Sequence, residues 1–348
     1  MKKYLLPESG KFYKANLHCH SNHSDGDLSP AELKAVYMKN GYSIVAFTDH
    51  DVMIPHHDLR EDNFLPLTAV EYAVNNLNPD KKITDGQACH FNFIALDEDM
   101  EIQPFWHRTK FVPKHSEHSR PLVKFDESLP DYVREYSPAC ISEMMRGGRD
   151  GNFFVTYNHP TWSQENFEDY IQYDGMHALE IMNSACIHAL GIFEYNDTIY
   201  DNMLRYGKHI YCVAADDTHS GKEVDETLKS QIARAWVMIK AESLTYKNVS
   251  AALKAGHFYS SEGPVINALW YEDGKLCIDC EDAAKIAFVS YPKRGGVFVS
   301  KGGVALTHAE LDVGNERAFV RIVVENHDGK RAYTHAYFTE DLNSDSKA

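Results

Sequence analysis

The chain has 348 residues, 43% of them hydrophobic and 25% charged, and a formal net charge of -16. These fractions are typical of a globular protein, and the length predicts about two domains. The acidic balance argues against a nucleic-acid-binding protein, which would carry a basic face. An anionic substrate is still compatible with it, because bound cations reverse the local potential.

The N-terminal region indicates no export or membrane signal. Only a three-residue apolar run precedes Pro7, and no stretch approaches the roughly 18 apolar residues of a membrane span. Seven scattered cysteines form no framework of evenly spaced pairs, which favours free thiols in a reducing compartment. We therefore expect a cytoplasmic protein with no membrane partner, and the oligomeric state stays open.

The first 260 or so residues alternate helical and strand patterns. "SPAELKAVYMKNG" predicts a helix with Ser29 as N-cap, Pro30 in the first turn, Glu32 completing a capping box and Gly41 at the end. Buried strands are predicted in YSIVAFTDHD, LPLTAVEYAV, CHFNFIAL, NFFVTYNHP, MHALEIMN and HIYCVAADDTH. This alternation favours a parallel α/β sheet, open or closed, with nearly the roughly 250 residues of a barrel.

Two segments depart from the pattern. Residues 97–136 are polar, contain prolines and show no clean periodicity, which is typical of a lid, a binding element or a disordered loop. After Gly263 and Pro264, short strands joined by EDGK, KRGG and HDGK turns predict a small antiparallel β domain. The expected domains are therefore 1–263, with the insertion, and 264–348.

Histidines and carboxylates recur around the ends of the predicted strands, with Asp25 in the loop after the first strand and His90 at the start of the fourth. They are His18, His20, Asp25, Asp49, His50, Glu71, His90, His159, Asp217 and His219. The carboxyl ends of successive parallel strands converge on one face, so these side chains are expected to meet there.

Each motif alone is weak evidence. A single HxH occurs on strand surfaces, an Asp-His pair can cap a loop, and NHP alone indicates a turn. Their shared position at five or six strand ends favours a metal site. Nitrogen and carboxylate ligands without cysteine suit zinc, manganese or iron, and nine ligands are enough for two or three divalent ions.

In this order, "HCHSNHSDG", "FTDHD", "AVEY", "NHP" and "DDTH" resemble the motifs of the PHP (polymerase and histidinol phosphatase) family of metal-dependent phosphoesterases. The resemblance runs from about Asn16 to His219. The later segments resemble the longer members, which include a group of carbaryl and carbofuran hydrolases. The resemblance to the PHP family implies a distorted seven-stranded (β/α) TIM-like barrel followed by a small antiparallel β-sandwich-like domain.

The resemblance also implies how the ligands are shared. One metal would be held by His18, His20, Glu71 and Asp217. A second would share Glu71 and add His90 and His159, and a third would use Asp25, His50 and His219. Many relatives have a histidine near the position of Asp25, so this site departs from their pattern.

We expect catalytic roles for Glu71, Asp49 and His219. Glu71 would bridge two metals, and Asp49 would orient a ligand histidine, although it is also placed to cap a loop. The general acid for the leaving group is either a histidine not committed to metal or a metal-bound water.

The insertion is the one locally basic segment of the acidic chain. We expect it to bind substrate through six residues, with an ordinary surface loop as the alternative: Arg108, Lys110, Lys114, His115, His118 and Arg120.

The sequence therefore predicts a hydrolase that cleaves a small-molecule phosphate mono- or diester with a metal-activated hydroxide. One alternative keeps the metals and changes the bond to a carbamate or carboxylic ester. Another is a metal-stabilised binding module for a saccharide or protein. Convergent cations near the metals would favour phosphate, and an apolar aromatic pocket would favour a neutral ester.

Overall fold

The computed structural model describes residues 2–76, 86–220, 230–314 and 317–343. Up to residue 263 the strands are β1 (Lys3–Tyr4), β2 (Lys11–Asn16), β3 (Ile44–Phe47), β4 (Leu65–Asn75), β5 (Ala88–Ala95), β6 (Phe153–Asn158), β7 (Ala178–Asn183), β8 (Tyr211–Ala215), β9 (Trp236–Ala241) and β10 (Phe258–Ser261).

The later strands are β11 (Ile266–Glu272), β12 (Lys275–Ala283), β13 (Lys285–Tyr291), β14 (Gly296–Val299), β15 (Leu306–Asp312), β16 (Phe319–Glu325), β17 (Arg331–Tyr333) and β18 (Tyr337–Phe338). The helices are α1 (Pro30–Lys39), α2 (Pro138–Asp150), α3 (Phe167–Tyr170), α4 (Ser184–His188), α5 (Asp197–Arg205), α6 (Tyr246–Ala255) and α7 (Thr339–Asn343).

Helix α1 forms as its sequence predicts. The Ser29 hydroxyl accepts a hydrogen bond from the Glu32 backbone N–H, and the Glu32 carboxylate accepts one from the Ser29 N–H. This capping box and Pro30 satisfy or remove N–H groups that would otherwise lack partners in the first turn. The helix buries Leu33 and Tyr37 against β3, so the loop that precedes it is anchored at its carboxyl end.

One large sheet carries most of the chain. Its strand order is β14-β13-β16-β17-β10-β9-β2-β3-β4-β5-β6-β7-β8, and β18 pairs with β16. The pairs β2–β3, β3–β4, β6–β7 and β7–β8 are parallel, as predicted. Strand β5 is antiparallel to both neighbours, which corrects the expectation of a wholly parallel sheet.

The reversal of β5 matters for the site. In an antiparallel neighbour, the start of the strand lies beside the end of the adjoining strand. His90, near the start of β5, is therefore paired with Ala73 near the end of β4 and with Asn158 at the end of β6.

The run from β2 to β8 curls so that its two ends approach each other. A parallel bridge joins Cys19 to Thr218, and the His20 N–H donates to the Thr218 carbonyl at 2.9 Å. Within the described ranges no strand ladder joins β8 to β2, so a closed barrel is not confirmed.

The second part of the molecule is a β structure around its own core. A four-stranded sheet, β1-β11-β12-β15, packs against the β13–β16 end of the large sheet through Ile278, Ile286 and Ile322, among others. Strand β1 pairs with β11, so the first residues of the chain complete this second sheet. The architecture has two domains, and the boundary at residue 263 stays a prediction.

The insertion of residues 97–136 is fixed against the large sheet. Trp106 and Val123 pack on Val52, and Arg134 forms a buried ion pair with Asp51 at 2.5 Å. Across the part of the chain that the structure describes, no helix has the length and apolar character needed to span a membrane.

Candidate metal centre

The nine predicted ligand residues meet at one edge of the β2–β8 sheet. His18 and His20 flank the bridge between Cys19 and Thr218, and His50 pairs with Glu71 through a second parallel bridge. Two ligand residues have left-handed backbone conformations, His159 with φ of 23° and Asp217 with φ of 52°. Such conformations are costly for non-glycine residues and are concentrated at functional sites.

The first group of ligand atoms is compact. The Nε2 atom of His18 lies 3.2 Å from Glu71 Oε1, 3.1 Å from Asp217 Oδ1 and 3.1 Å from His20 Nε2. The Nε2 atom of His20 lies 3.1 Å from Asp217 Oδ1. Donor atoms about 3.0–3.6 Å apart are what a single ion with bonds of about 2.0–2.2 Å requires.

Glu71 also faces a second group. Its Oε1 atom lies 3.3 Å from His90 Nδ1 and 3.2 Å from His159 Nε2. The structure thus places one carboxylate between two sets of histidine nitrogens.

The third group is more open to solvent. The two oxygens of Asp25 lie 3.6 Å from the Nε2 atoms of His50 and His219, and Asp25 Oδ1 lies 3.8 Å from His20 Nδ1. The Asp25 side chain is 29% exposed and that of His219 is 31% exposed. His50 Nδ1 also lies 3.0 Å from Glu71 Oε2, so the third group adjoins the other two.

Neighbouring side chains set the orientation of the ligands. Glu180 Oε1 lies 2.9 Å from His18 Nδ1, which leaves Nε2 of that ring facing the ligand cluster. The Asn158 side-chain amide donates to Glu71 Oε1 at 2.9 Å. Ligand histidines in metal proteins characteristically have such a carboxylate behind the ring.

Several buried atoms of the cluster form no hydrogen bond, although other side chains of the cluster lie close to them. Within the described residues, His20 Nδ1, Glu71 Oε2, His90 Nδ1 and Asp217 Oδ1 are buried and form no hydrogen bond. Leaving such atoms without a partner costs free energy, and four in one cluster are unusual for a folded protein. Nitrogen and carboxylate donors are ligands for zinc, manganese or iron, so these residues fit divalent metal ions.

The carboxylates of the cluster are held ionised. Burial raises the pKa of Glu71, but the surrounding histidines outweigh this effect and hold it well below the usual value. The pKa of Asp217 is lowered well below its usual value in the same way. For His18, burial lowers the pKa, and the carboxylates of Asp217, Glu71 and Glu180 outweigh it and raise it well above the usual value. The cluster therefore attracts positive charge.

Asp49 is hydrogen-bonded to the loop that follows His20. Its carboxylate accepts hydrogen bonds from the Ser21 N–H at 2.7 Å, the Ser21 hydroxyl at 2.8 Å and the Ser24 hydroxyl at 2.7 Å. These bonds fix the loop between His20 and Asp25, which fits the loop-capping alternative, and the catalytic role of Asp49 stays a prediction.

A cavity of about 470 Å³ opens onto the cluster. Of the six insertion residues predicted to bind substrate, His115 lines it, with Nε2 at 3.9 Å from Asp25 Oδ2. The other five are not among its described lining residues. Arg108 pairs with Asp131 at 2.7 Å, and Arg120 pairs with Glu117 at 2.8 Å.

The remaining three predicted substrate contacts lie on the surface. Lys110 and Lys114 are exposed, and His118 Nε2 lies 2.9 Å from the carbonyl oxygen of Asn22. The structure therefore does not bring the insertion cations together over the ligands, which differs from the expectation.

Trp162 and Glu194 were not identified from the sequence. Trp162 lines the cavity, and its ring centre lies 4.9 Å from that of His159 and 5.2 Å from that of His90. The buried Glu194 carboxylate accepts the backbone N–H groups of Thr161 and Trp162 at 2.9 and 2.7 Å. The position of Trp162 three residues after His159 was the one available signal.

No family model matches the chain, and no curated protein matches it. Among solved structures, it is similar to a two-domain protein from Bacteroides vulgatus that contains a predicted PHP-like metal-dependent phosphoesterase. The identity is 14%, the TM-score is 0.47, and the match covers 96% of this chain and 98% of that one.

Two shorter proteins are also similar. One is an amidohydrolase from Chromobacterium violaceum with bound sulfate and no metal. It has 16% identity and a TM-score of 0.41, and the match covers 60% of this chain and 88% of the amidohydrolase chain. A proposed metal-dependent phosphoesterase from Bifidobacterium adolescentis has 17% identity and a TM-score of 0.39, covering 62% and 90%. The carbaryl and carbofuran hydrolase group is not confirmed. The structural neighbours of this chain thus include a protein with a predicted PHP-like metal-dependent phosphoesterase, the family that its motifs resemble.

Proposed function

We propose that the protein is a PHP-type phosphoesterase that uses two or three divalent ions to hydrolyse a small-molecule phosphate mono- or diester. The fold we propose for residues 1–263 is a distorted seven-stranded barrel. The order of strands β2 to β8 in the sheet and the bridge between Cys19 and Thr218 support this fold.

One observation carries the proposal: Glu71 lies between two sets of candidate ligand histidines, and four buried atoms of the cluster, one of them Glu71 Oε2, form no hydrogen bond in the described chain. Bound ions would give those atoms partners. Zinc, manganese and iron suit these ligands.

Divalent ions at this position would lower the pKa of a water molecule and neutralise the charge of phosphate oxygens. The residues of the chain supply the rest. Glu71 holds the two ligand sets together, while Glu180 fixes the ring of His18. Asp49 fixes the loop that carries Asp25.

A substrate panel tests the proposal. The protein is loaded with manganese and assayed with p-nitrophenyl phosphate, bis-p-nitrophenyl phosphate and naphthyl carbamate. The proposal predicts hydrolysis of at least one phosphate ester that stops when a chelator removes the metal. Turnover of the carbamate alone would contradict it.

The cavity favours one second candidate, a neutral ester such as a carbamate or carboxylic ester. Part of its wall is apolar, from Trp162, Ala185 and Leu190, and no arginine or lysine of the described ranges lines it. Neutral esters bind through apolar contacts, whereas phosphate is commonly bound by arginine or lysine. The same panel separates the two candidates.

A further inference from the structure

We propose that the substrate carries a planar ring, aryl or heteroaryl, next to the bond that is cleaved, and that Trp162 is the side chain that binds it. The inference rests on the proposed metal centre. It adds the class of the organic group, and it applies to a phosphate ester and to a neutral ester alike.

Trp162 lies beside two of the candidate ligand histidines. The half-buried indole lines the cavity and packs edge-to-face against the ligand ring of His159, at 79° between planes, and is tilted at 58° against His90. Its distance from the ligands is therefore fixed. A group that contacts this indole therefore lies beside the candidate ligand histidines His159 and His90.

The turn that carries Trp162 is held rigidly. Both oxygens of the fully buried Glu194 carboxylate accept backbone N–H groups from the turn that holds Trp162, and the Asn196 side-chain amide donates to the same carboxylate at 2.8 Å. An aromatic side chain on a turn held in this way loses little entropy when it binds a ligand.

Apolar residues also line the cavity beside Trp162. Ala185, Cys186 and Leu190 come from α4 and the residues that follow it, and Pro113 comes from the insertion. Leu190 is 58% exposed. Apolar walls with a few polar groups at one end are typical of pockets for organic ligands of this size, and aromatic pairs add attraction beyond the area they bury.

Two metal chelators with the same binding group test this assignment. Benzohydroxamate carries a phenyl ring and acetohydroxamate carries a methyl group. Calorimetry on the manganese-loaded protein should show about tenfold tighter binding of benzohydroxamate. Trp162→Leu should bring the ratio close to one, and Trp162→Phe should keep most of it.

Elemental analysis of each variant separates ring binding from support of the ligand histidines, since a supporting role would lower metal content and weaken both chelators equally. Leu190→Gln is the second variant if Trp162→Leu does not fold, and it should lower the ratio without loss of metal. A wild-type ratio near one, a ratio unchanged in both variants, or no binding of either chelator to the loaded protein would overturn the inference.

The substrate panel gives the independent result for the proposed function. A ring preference without turnover of any phosphate ester would remove the phosphoesterase proposal and leave the ring site standing. Phosphate turnover without a ring preference would do the reverse.

Discussion

Glu180 Oε1 and His18 Nδ1 lie 2.9 Å apart, and both side chains are 1% exposed. The other Glu180 oxygen accepts the backbone N–H of His159 at 2.9 Å, so one carboxylate fixes two ligand positions. Because the pair sits behind the ring of His18, it fixes which nitrogen of that ring faces the ligand cluster.

Replacing Glu180 should therefore weaken metal binding. Glu180→Ala is expected to lower metal affinity roughly 10- to 100-fold, since loss of such a partner releases the ring and lowers its basicity. Competition with a fluorescent chelator measures the affinity. Glu281→Ala, an exposed residue of β12, is the matched control and should have no effect. Equal affinities for the two variants would show that Glu180 does not position the ligand.

Glu71→Gln should abolish most hydrolysis, because a neutral amide cannot hold two cations together. We expect a loss of roughly 100-fold or more in kcat, corresponding to several kcal/mol of charge stabilisation. Steady-state kinetics and metal content are measured on the same sample. If the variant retained both metal and full activity, the catalytic proposal would be wrong.

The buried pair of Arg134 and Asp51 should stabilise the attachment of the insertion. Their side chains are 3% and 2% exposed. Arg134→Met leaves an unpaired buried carboxylate and should lower the free energy of unfolding by about 3–5 kcal/mol. Urea unfolding measures this value.

Arg60→Met is the control for that prediction. Arg60 pairs with Glu98, and the two side chains are 39% and 37% exposed. An exposed pair contributes about 0–1 kcal/mol, so this variant should be close to wild type. Equal losses from the two arginine variants would contradict the role of the buried pair.

Glu165 should make stability depend on pH. Burial raises its pKa to about 7, although the hydroxyls of Tyr157, Tyr173 and Tyr136 donate to it and lower the pKa in part. The folded state therefore binds this proton more tightly than the unfolded state, whose pKa is near 4.5. Glu165 therefore contributes its full stabilisation of the folded state below about pH 4.5. This contribution, about 3 kcal/mol, is lost as the pH rises to about 7.

The measurement is the difference in unfolding free energy between wild type and Glu165→Gln at several pH values and constant manganese. As the pH rises from 5 to 7.5, the unfolding free energy of the wild type should fall relative to that of Glu165→Gln. Parallel pH profiles for the two proteins would show that Glu165 does not titrate in this range.

That the candidate ligands lie together could be predicted, because most of them stand in short polar motifs at or just after strand ends. His18, Glu71 and Asp217 are far apart in the chain, and the parallel strands that carry them explain why they meet. The capping box of α1 was equally visible, since it depends on local residues alone.

Other features depend on pairing between distant segments, which the sequence pattern does not contain. The antiparallel direction of β5 and the pairing of β1 with β11 are of this kind. Arg108 and Arg120 were expected over the metals because of their charge, yet local partners in the insertion hold them elsewhere. The signal of Trp162, its position three residues after His159, was weak because one tryptophan after a turn more often packs in a core.

The metal content of the protein purified without chelator, measured by elemental analysis, decides whether the metal centre exists. We expect two or three equivalents of zinc, manganese or iron per chain, and a fall in that number in Glu71→Gln. Less than one equivalent in the wild type, even after incubation with manganese, would contradict the metal centre.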